Sequence, residues 1–349
     1  MTETTRPRPR SVLLAAVALL TAIALLPGAA VGKTTLTVYT AIEADDLKKY
    51  AARFNEDNPD IEIKWVRDST GVVTAKLLAE KANPQADVIW GLAATSLLVL
   101  KPDGMLLPYA PKGLERLDAQ FRDKDNPPAW VGMDAWVAAI CFNTVEAQKK
   151  NLPKPTSWKD LTKPVYKGHI VMPNPASSGT GFLDVSSWLQ LFGEPEGWKF
   201  MDGLHENVAV YTHSGSKPCT MAGAGEYPIG VSFEFRAARM KKQGAPLDIV
   251  FPSEGSGWDM EATAIVKGTK NLEAARKFVD WTITDKAMRL YNEGYAVVAI
   301  SKMSKPIEFL PENMLQHMGK NDFQWAAQNR ARILAEWSKR YDAKSEPKK

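Results

Sequence analysis

The sequence predicts an α/β protein of two lobes, each a mostly parallel sheet flanked by helices, with a ligand cleft between them. Three observations carry that expectation. Strand and helix patterns alternate regularly just after an N-terminal leader, and a second such unit follows later in the chain. The unbroken apolar run Val137-Ala138-Ala139-Ile140-Cys141-Phe142 between them is suited to crossing from one lobe into the other.

The leader comes first. Arg6, Arg8 and Arg10 precede an apolar run from Val12 to Leu26, then Pro27-Gly28, with small Ala30 and Gly32 placed for a signal-peptidase cut ahead of Lys33. The run is shorter than the roughly 20 residues of a membrane span, and no cysteine stands at the cut to take a lipid. Residues 1–32 therefore read as a signal peptide, and the remainder as a protein exported to the periplasm.

The mature chain opens on an alternating strand, Leu36 to Tyr39. A helix follows from about Ala44 to Asn58, with Leu47, Tyr50, Ala51 and Phe54 on one face, and Pro59 ends it. Ile61 to Val66 alternates again and closes on Asp68-Ser69-Thr70-Gly71, which can cap a helix over Val72 to Ala82. A buried strand, Ala86 to Trp90, and another helix complete the first unit. In the second, strands are expected at His169–Met172, Val208–Tyr211, Ile229–Glu234 and Leu247–Phe251, and helices over Phe182–Phe192, Glu196–His205 and Phe235–Gln243. Glu261 to Lys267 reads as a returning strand, Leu272–Thr282, Lys286–Asn292 and Asp322–Arg340 as helices, and Ser345 to Lys349 as a frayed tail. The expected lobes are 33–135 with 260–305, and 136–259 with 306–349.

Composition narrows the function classes. The whole chain has net charge +4 over 349 residues. The leader holds three arginines and one glutamate, so the mature protein is nearly balanced, and neither nucleic acid nor a membrane surface is expected as partner. Cys141 and Cys219 can pair in an oxidising compartment or stand as two buried thiols. No spacing resembles a metal cluster, and no cofactor is expected. Four histidines and no hydrolase, Walker or dinucleotide pattern favour binding over catalysis.

Two residue sets suggest what is bound. Pro175-Ala176-Ser177-Ser178-Gly179-Thr180-Gly181 runs directly into an apolar helix. Hydroxyls and free amides at a helix start suit a tetrahedral anion. Thr40, Ser69-Thr70-Gly71 and Ser214-Gly215-Ser216-Lys217 occupy equivalent loops at C-terminal strand ends, where α/β folds bind ligands. Glu43, Glu234, Asp259 and Glu261, accompanied by Trp90, Trp136 and Trp258, point instead to a cation, through ion pairing and attraction to aromatic faces. A small zwitterion accounts for both sets.

The stretches Val38 to Asp46, Trp65 to Gly71, Ala86 to Ala93, Pro173 to Gly181 and Gly257 to Glu261 resemble the periplasmic substrate-binding proteins of 2-aminoethylphosphonate ABC transporters. The wider group has the type II periplasmic binding fold and includes ferric-ion-, thiamine- and polyamine-binding proteins. The resemblance implies a monomeric, non-enzymatic protein that closes on its ligand and delivers it to permease subunits. Ferric-ion-binding relatives carry an adjacent tyrosine pair where this chain reads Gly230-Val231-Ser232-Phe233-Glu234-Phe235, and Glu43 stands where a metal-coordinating histidine is often found. Thr40, Ser69, Thr70, Ser177, Ser178, Gly179 and Thr180 are thus the candidates for the phosphonate, and Glu43, Trp90, Glu234, Asp259 and Glu261 for the ammonium. The competing classes are an iron or polyamine binder of the same fold, an exported hydrolase built on a carboxylate pair, and a sensory module that presents the same ligand to a receptor.

Overall fold

The computed structural model describes residues 1–5 and 32–347; the leader residues that carry the signal-peptide expectation, 6–31, lie outside that range. Among the described residues no helix is long and apolar enough to cross a membrane. From Thr34 onward the chain forms one compact unit.

Its first segment follows the expected alternation: β1 (Thr34–Thr40), α1 (Ala44–Asp57), β2 (Ile61–Arg67), α2 (Thr70–Ala79), β3 (Val88–Ala93) and α3 (Ala94–Leu100), then the short β4 (Leu106–Leu107). β1 pairs in parallel with β2 on one side and β3 on the other. Next come β5 (Val131–Asn143), α4 (Thr144–Lys149), β6 (Ile170–Pro173), α5 (Gly179–Phe192), α6 (Glu194–Asn207), β7 (Val208–Thr212), α7 (Lys217–Gly223), β8 (Ile229–Phe233), α8 (Glu234–Lys242) and β9 (Leu247–Val250). Here β6 pairs in parallel with β7 and β8. The chain ends with β10 (Trp258–Val266), α9 (Leu272–Thr282), α10 (Asp285–Tyr291), β11 (Val297–Val298) and α11 (Phe323–Tyr341).

The two parallel triplets are stitched together by antiparallel strands, so the sheet is mixed rather than mostly parallel. Its order is β2-β1-β3-β10-β5-β8-β6-β7, with β4 on β10 and both β9 and β11 on β5. β10 runs antiparallel to β3 and β5, and β5 antiparallel to β8. All 13 residues of β5 are buried. Burial on both faces explains why its sequence reads as a continuous apolar run, and the crossing expected at Val137–Phe142 is its second half.

Apolar side chains divide between two large cores. Val38, Phe54, Trp90, Met133, Ile265 and Phe278 belong to one, and Ile140, Phe182, Trp188, Val231 and Trp337 to the other. A small third cluster surrounds a disulfide between Cys141 on β5 and Cys219 on α7, with Cα atoms 5.3 Å apart. Of the two states left open for these cysteines, the paired one holds. Of the tail expected to fray, the described residues 345–347 are instead tied down through Glu346. Its amide donates to the Tyr211 carbonyl at 2.9 Å, and its carboxylate accepts from the His213 amide and the Lys217 ammonium.

Candidate ligand-binding site

Parallel strands aim their C-terminal ends, and the helix starts that follow, at one edge of the sheet. β1, β2, β6 and β7 end there, and the loops after them converge on a cavity of about 490 Å³ of empty space, part of it open to solvent. Ser69, Thr70, Ser178, Gly179 and Thr180 line it, as do Glu43 and Glu261.

The N-termini of α2 and α5 meet across this space. The Gly71 amide donates to the Ser177 carbonyl at 2.9 Å, and a methyl group on Gly179 would stand 2.7 Å from Thr70 Oγ1. Ser69 precedes α2 without making a side-chain cap bond, whereas Ser178 Oγ accepts from the Gly181 amide at 3.2 Å. α5 therefore begins at Gly179, three residues before the expected Phe182. Gly215 closes the same wall: a methyl there would meet Thr180 Oγ1 at 2.4 Å and Ser178 Oγ at 2.9 Å. Two helix N-termini of ordinary length, hydroxyls and bare backbone make this pole suited to an anion.

Sequence reasoning missed the one lining arginine. Arg67 is the last residue of β2 and directs Nε to the Ile42 carbonyl at 3.1 Å, which holds its guanidinium at the wall. Its position at a C-terminal strand end, like that of the hydroxyl loops, was the available signal. Phe233 and Phe235 flank the start of α8 and also line the cavity, with Trp136 opposite. No cluster of three or more metal-capable side chains occurs among the described residues.

At the acidic pole, Glu261 is buried and Tyr295 donates to its Oε1 at 3.0 Å, while Oε2 has no hydrogen-bond partner among the described residues. Burial is the main reason its pKa is pushed up to about 8; the Tyr295 hydrogen bond and Arg67 oppose the rise, and Glu43 and Asp46 add to it. Glu43 is already engaged by the Arg236 guanidinium of α8.

Five predicted site residues do not line the cavity. Trp90 packs in the first core against Tyr50, Trp65 and Phe278, its indole donating to Tyr291 at 3.2 Å. Thr40 is buried and its hydroxyl accepts from the Ile42 amide at 3.0 Å, shaping the loop. Ser177 Oγ faces His213 Nδ1 at 3.1 Å. Glu234 Oε2 accepts from the Val137 amide at 2.7 Å, and Asp259 Oδ2 from the Thr95 hydroxyl at 2.6 Å. Burial raises these two carboxyls to about 8 and about 6 respectively, with the hydrogen bonds opposing it.

A cavity between two parallel α/β halves, walled by hydroxyls, amides and an arginine, defines a binding protein for a small polar solute. The chain belongs to the bacterial extracellular solute-binding protein family, whose model matches residues 83–325. A protein of Haemophilus influenzae is 31% identical over 329 residues, covering 92% of this chain and 94% of its own. The "Probable ABC transporter periplasmic-binding protein y4fP" of Sinorhizobium fredii is 28% identical over 68% of this chain and 67% of its own. The solved periplasmic binding protein AfuA from Actinobacillus pleuropneumoniae, with fructose-6-phosphate bound, superposes with a TM-score of 0.83 at 27% identity, over 89% of this chain and 99% of that one. The y4fP and AfuA relatives are named as periplasmic binding proteins, and the family is an extracytoplasmic, solute-binding one.

Proposed function

We propose that the protein captures 2-aminoethylphosphonate outside the cytoplasm, as a monomer needing no cofactor, and presents it to the permease subunits of an ABC transporter. The lobes would be 33–135 with 260–305 and 136–259 with 306–349, delivered by the leader 1–32 as a signal peptide. One observation carries the reading: a single cavity joins an anion pole, made by the starts of α2 and α5 with Arg67, to an acidic pole at Glu261 with one unpartnered oxygen. Ser69, Thr70, Ser178, Gly179 and Thr180 would hold the phosphonate, and Glu261, with Glu43 beside it, the ammonium. Thr40, Ser177, Trp90, Glu234 and Asp259 would act by holding the walls. Contact with both lobes makes the closed state the better binder.

A sugar phosphate is the second reading. It is favoured by the ligand named for AfuA and by the aromatic faces of Trp136, Phe233 and Phe235, which suit a ring. Calorimetric titration with 2-aminoethylphosphonate, ethylphosphonate, fructose-6-phosphate, putrescine and ferric citrate separates the classes. The proposal expects 2-aminoethylphosphonate to bind more tightly than ethylphosphonate by at least tenfold. Tight binding of fructose-6-phosphate or ferric citrate with no response to the aminophosphonate would overturn it.

A further inference from the structure

Behind Glu261 stands a second acid that nothing above uses. Asp134 on β5 lies directly opposite Glu261 on β10 in the antiparallel register. Directly opposed residues share a face with their Cβ atoms about 5 Å apart, and like charges there repel. Asp134 is fully buried, and neither of its carboxylate oxygens has a hydrogen-bond partner among the described residues. Glu261 therefore fronts the cavity, and Asp134 backs it.

The groups around this pair are mostly acids or phenols. α1 presents Tyr50 and Asp46, α10 presents Tyr291, and Tyr295 donates to Glu261. Glu43 adds negative charge from the loop after β1, and the buried Glu234 carboxyl stands at the start of α8. Three arginines lie near, and two have prior partners: Arg236 pairs with Glu43, and Arg239 with Asp46 at 2.8 Å. Arg67 is the remaining one, on the anion side of the cavity. Two adjacent carboxylates without a dedicated counter-ion cannot both be ionised in such surroundings. Burial accordingly raises both, Glu261 to about 8 and Asp134 well above the ordinary aspartate range.

We propose that Asp134 and Glu261 act as a proton-holding pair whose protonation makes capture of a ligand's cationic pole expel a proton. In the unliganded protein near neutrality the pair keeps a proton on Glu261, because two adjacent buried carboxylates do not both ionise. When an ammonium docks, its charge replaces the proton on Glu261, which passes to solvent, and the carboxylate so formed accepts the ammonium's hydrogen bonds. Asp134 is a positioning residue: it touches no ligand and keeps Glu261 protonated until the cation arrives. The pair selects for cationic poles and makes their capture weaken as pH falls, while ligands lacking the cation remain insensitive to it. This inference rests on the ammonium being part of the ligand.

Proton release is read from calorimetry of the full-length mature protein at pH 7 in buffers of different ionisation enthalpy. Glu261→Gln serves as the reference, because the phosphonate's own proton change is the same with either protein. The pair predicts nearly one proton more released per 2-aminoethylphosphonate by the wild type than by Glu261→Gln, and a smaller excess in Asp134→Asn, where burial still raises Glu261 but the opposed acid is gone. Binding of 2-aminoethylphosphonate with no excess release, or an excess unchanged in Asp134→Asn, overturns the pair while leaving the functional reading intact. Failure of 2-aminoethylphosphonate to bind overturns that reading instead. The pair is then judged by unfolding: the gain of Glu261→Gln over wild type must grow from pH 5.5 to 8.5, and a constant difference sinks it.

Discussion

Gly71→Ala should cripple ligand capture while leaving the unliganded fold intact or slightly firmer. Gly71 sits in the first turn of α2, where the helix start packs against the loop leading into α5. A methyl group built there would lie 2.2 Å from the Ala176 carbonyl oxygen and 2.8 Å from the Ser177 carbonyl carbon. Both are backbone atoms, so no side chain can rotate away; relief requires the two halves to separate. Overpacking of this kind costs about 1–3 kcal/mol, and the Gly71–Ser177 hydrogen bond lost with it about 0.5–1.5 kcal/mol. The closed state is thus penalised by roughly 2–4 kcal/mol, which lowers affinity about 30- to 700-fold if closure is required for tight binding. The open state feels none of this. There, alanine gains up to about 1 kcal/mol over glycine within a helix. Calorimetric titration gives the affinity, small-angle scattering the compaction on ligand addition, and urea unfolding the stability without ligand. Wild-type affinity in a folded Gly71→Ala protein would refute both the contact and the closure it is taken to represent.

Glu261→Gln and Asp259→Asn separate the cavity acid from its neighbour. The first should weaken 2-aminoethylphosphonate by at least tenfold and ethylphosphonate little, whereas the second, whose carboxylate is occupied by Thr95, should leave the ratio of the two affinities unchanged; a shifted ratio in Asp259→Asn would return that residue to the ligand. Glu234→Gln tests burial without ligand. Because the folded Glu234 carboxyl is raised to about 8 from its ordinary 4.5, the native state holds more protons than the unfolded chain in that interval. Stability from this group is therefore lost as pH rises, by at most about 1.4 kcal/mol per pH unit. His169 and His205, which burial lowers, act in the opposite sense, so the informative quantity is the difference between variant and wild type. It should favour glutamine increasingly from pH 5.5 to 8.5 in urea midpoints, and a flat difference would remove Glu234 from the account. Cys219→Ala opens a loop spanning 78 residues. Loop-closure entropy puts the loss at about 4 kcal/mol, seen as a lower unfolding midpoint that reducing agent does not lower further. A midpoint equal to the oxidised wild type would show that the link constrains nothing.

The sheet-edge loops were legible in the sequence because α/β topology leaves few alternatives. Hydroxyls and glycines at the ends of β2, β6 and β7 had to share one edge, and Ser69, Thr70, Ser178, Gly179 and Thr180 do line the cavity there. Which polar residue turns inward was less legible, since that depends on partners distant in sequence. Asp259 and Glu261 are two residues apart on β10 and so share a face, separated by about 6.6 Å of strand. Thr95, 164 residues away, takes the first, and Tyr295 takes one oxygen of the second and leaves the other without a partner among the described residues. No composition or periodicity distinguishes the two. Trp90 misled for the converse reason: a tryptophan at a strand end matches an aromatic wall as readily as a core, and the four rings around it come from α1, β2 and α9.

The same reasoning explains why Arg67 and Asp134 escaped notice. An arginine ending an exposed-looking strand reads as a solvated charge, and an aspartate inside a run otherwise apolar reads as an exception. Their meaning appears only when β5 and β10 are seen to lie side by side, crossing between the two triplets. Those crossing strands hold the acidic pole, whereas the ends of the parallel strands and the helix starts after them hold the hydroxyls and Arg67. The anion pole is therefore built from helix starts that follow strands of both triplets, and the acidic pole sits on the strands between them, about which the proposed lobes would turn. A ligand whose negative group fills the first pole must draw α2 and α5 together, as the Gly71–Ser177 contact shows them to be. Its positive group would then meet an acid that hardly moves. On this geometry the phosphonate drives closure and the ammonium sets selectivity, so ethylphosphonate should still compact the protein in scattering experiments, though it binds more weakly. Compaction only with the amine present would reverse the two roles.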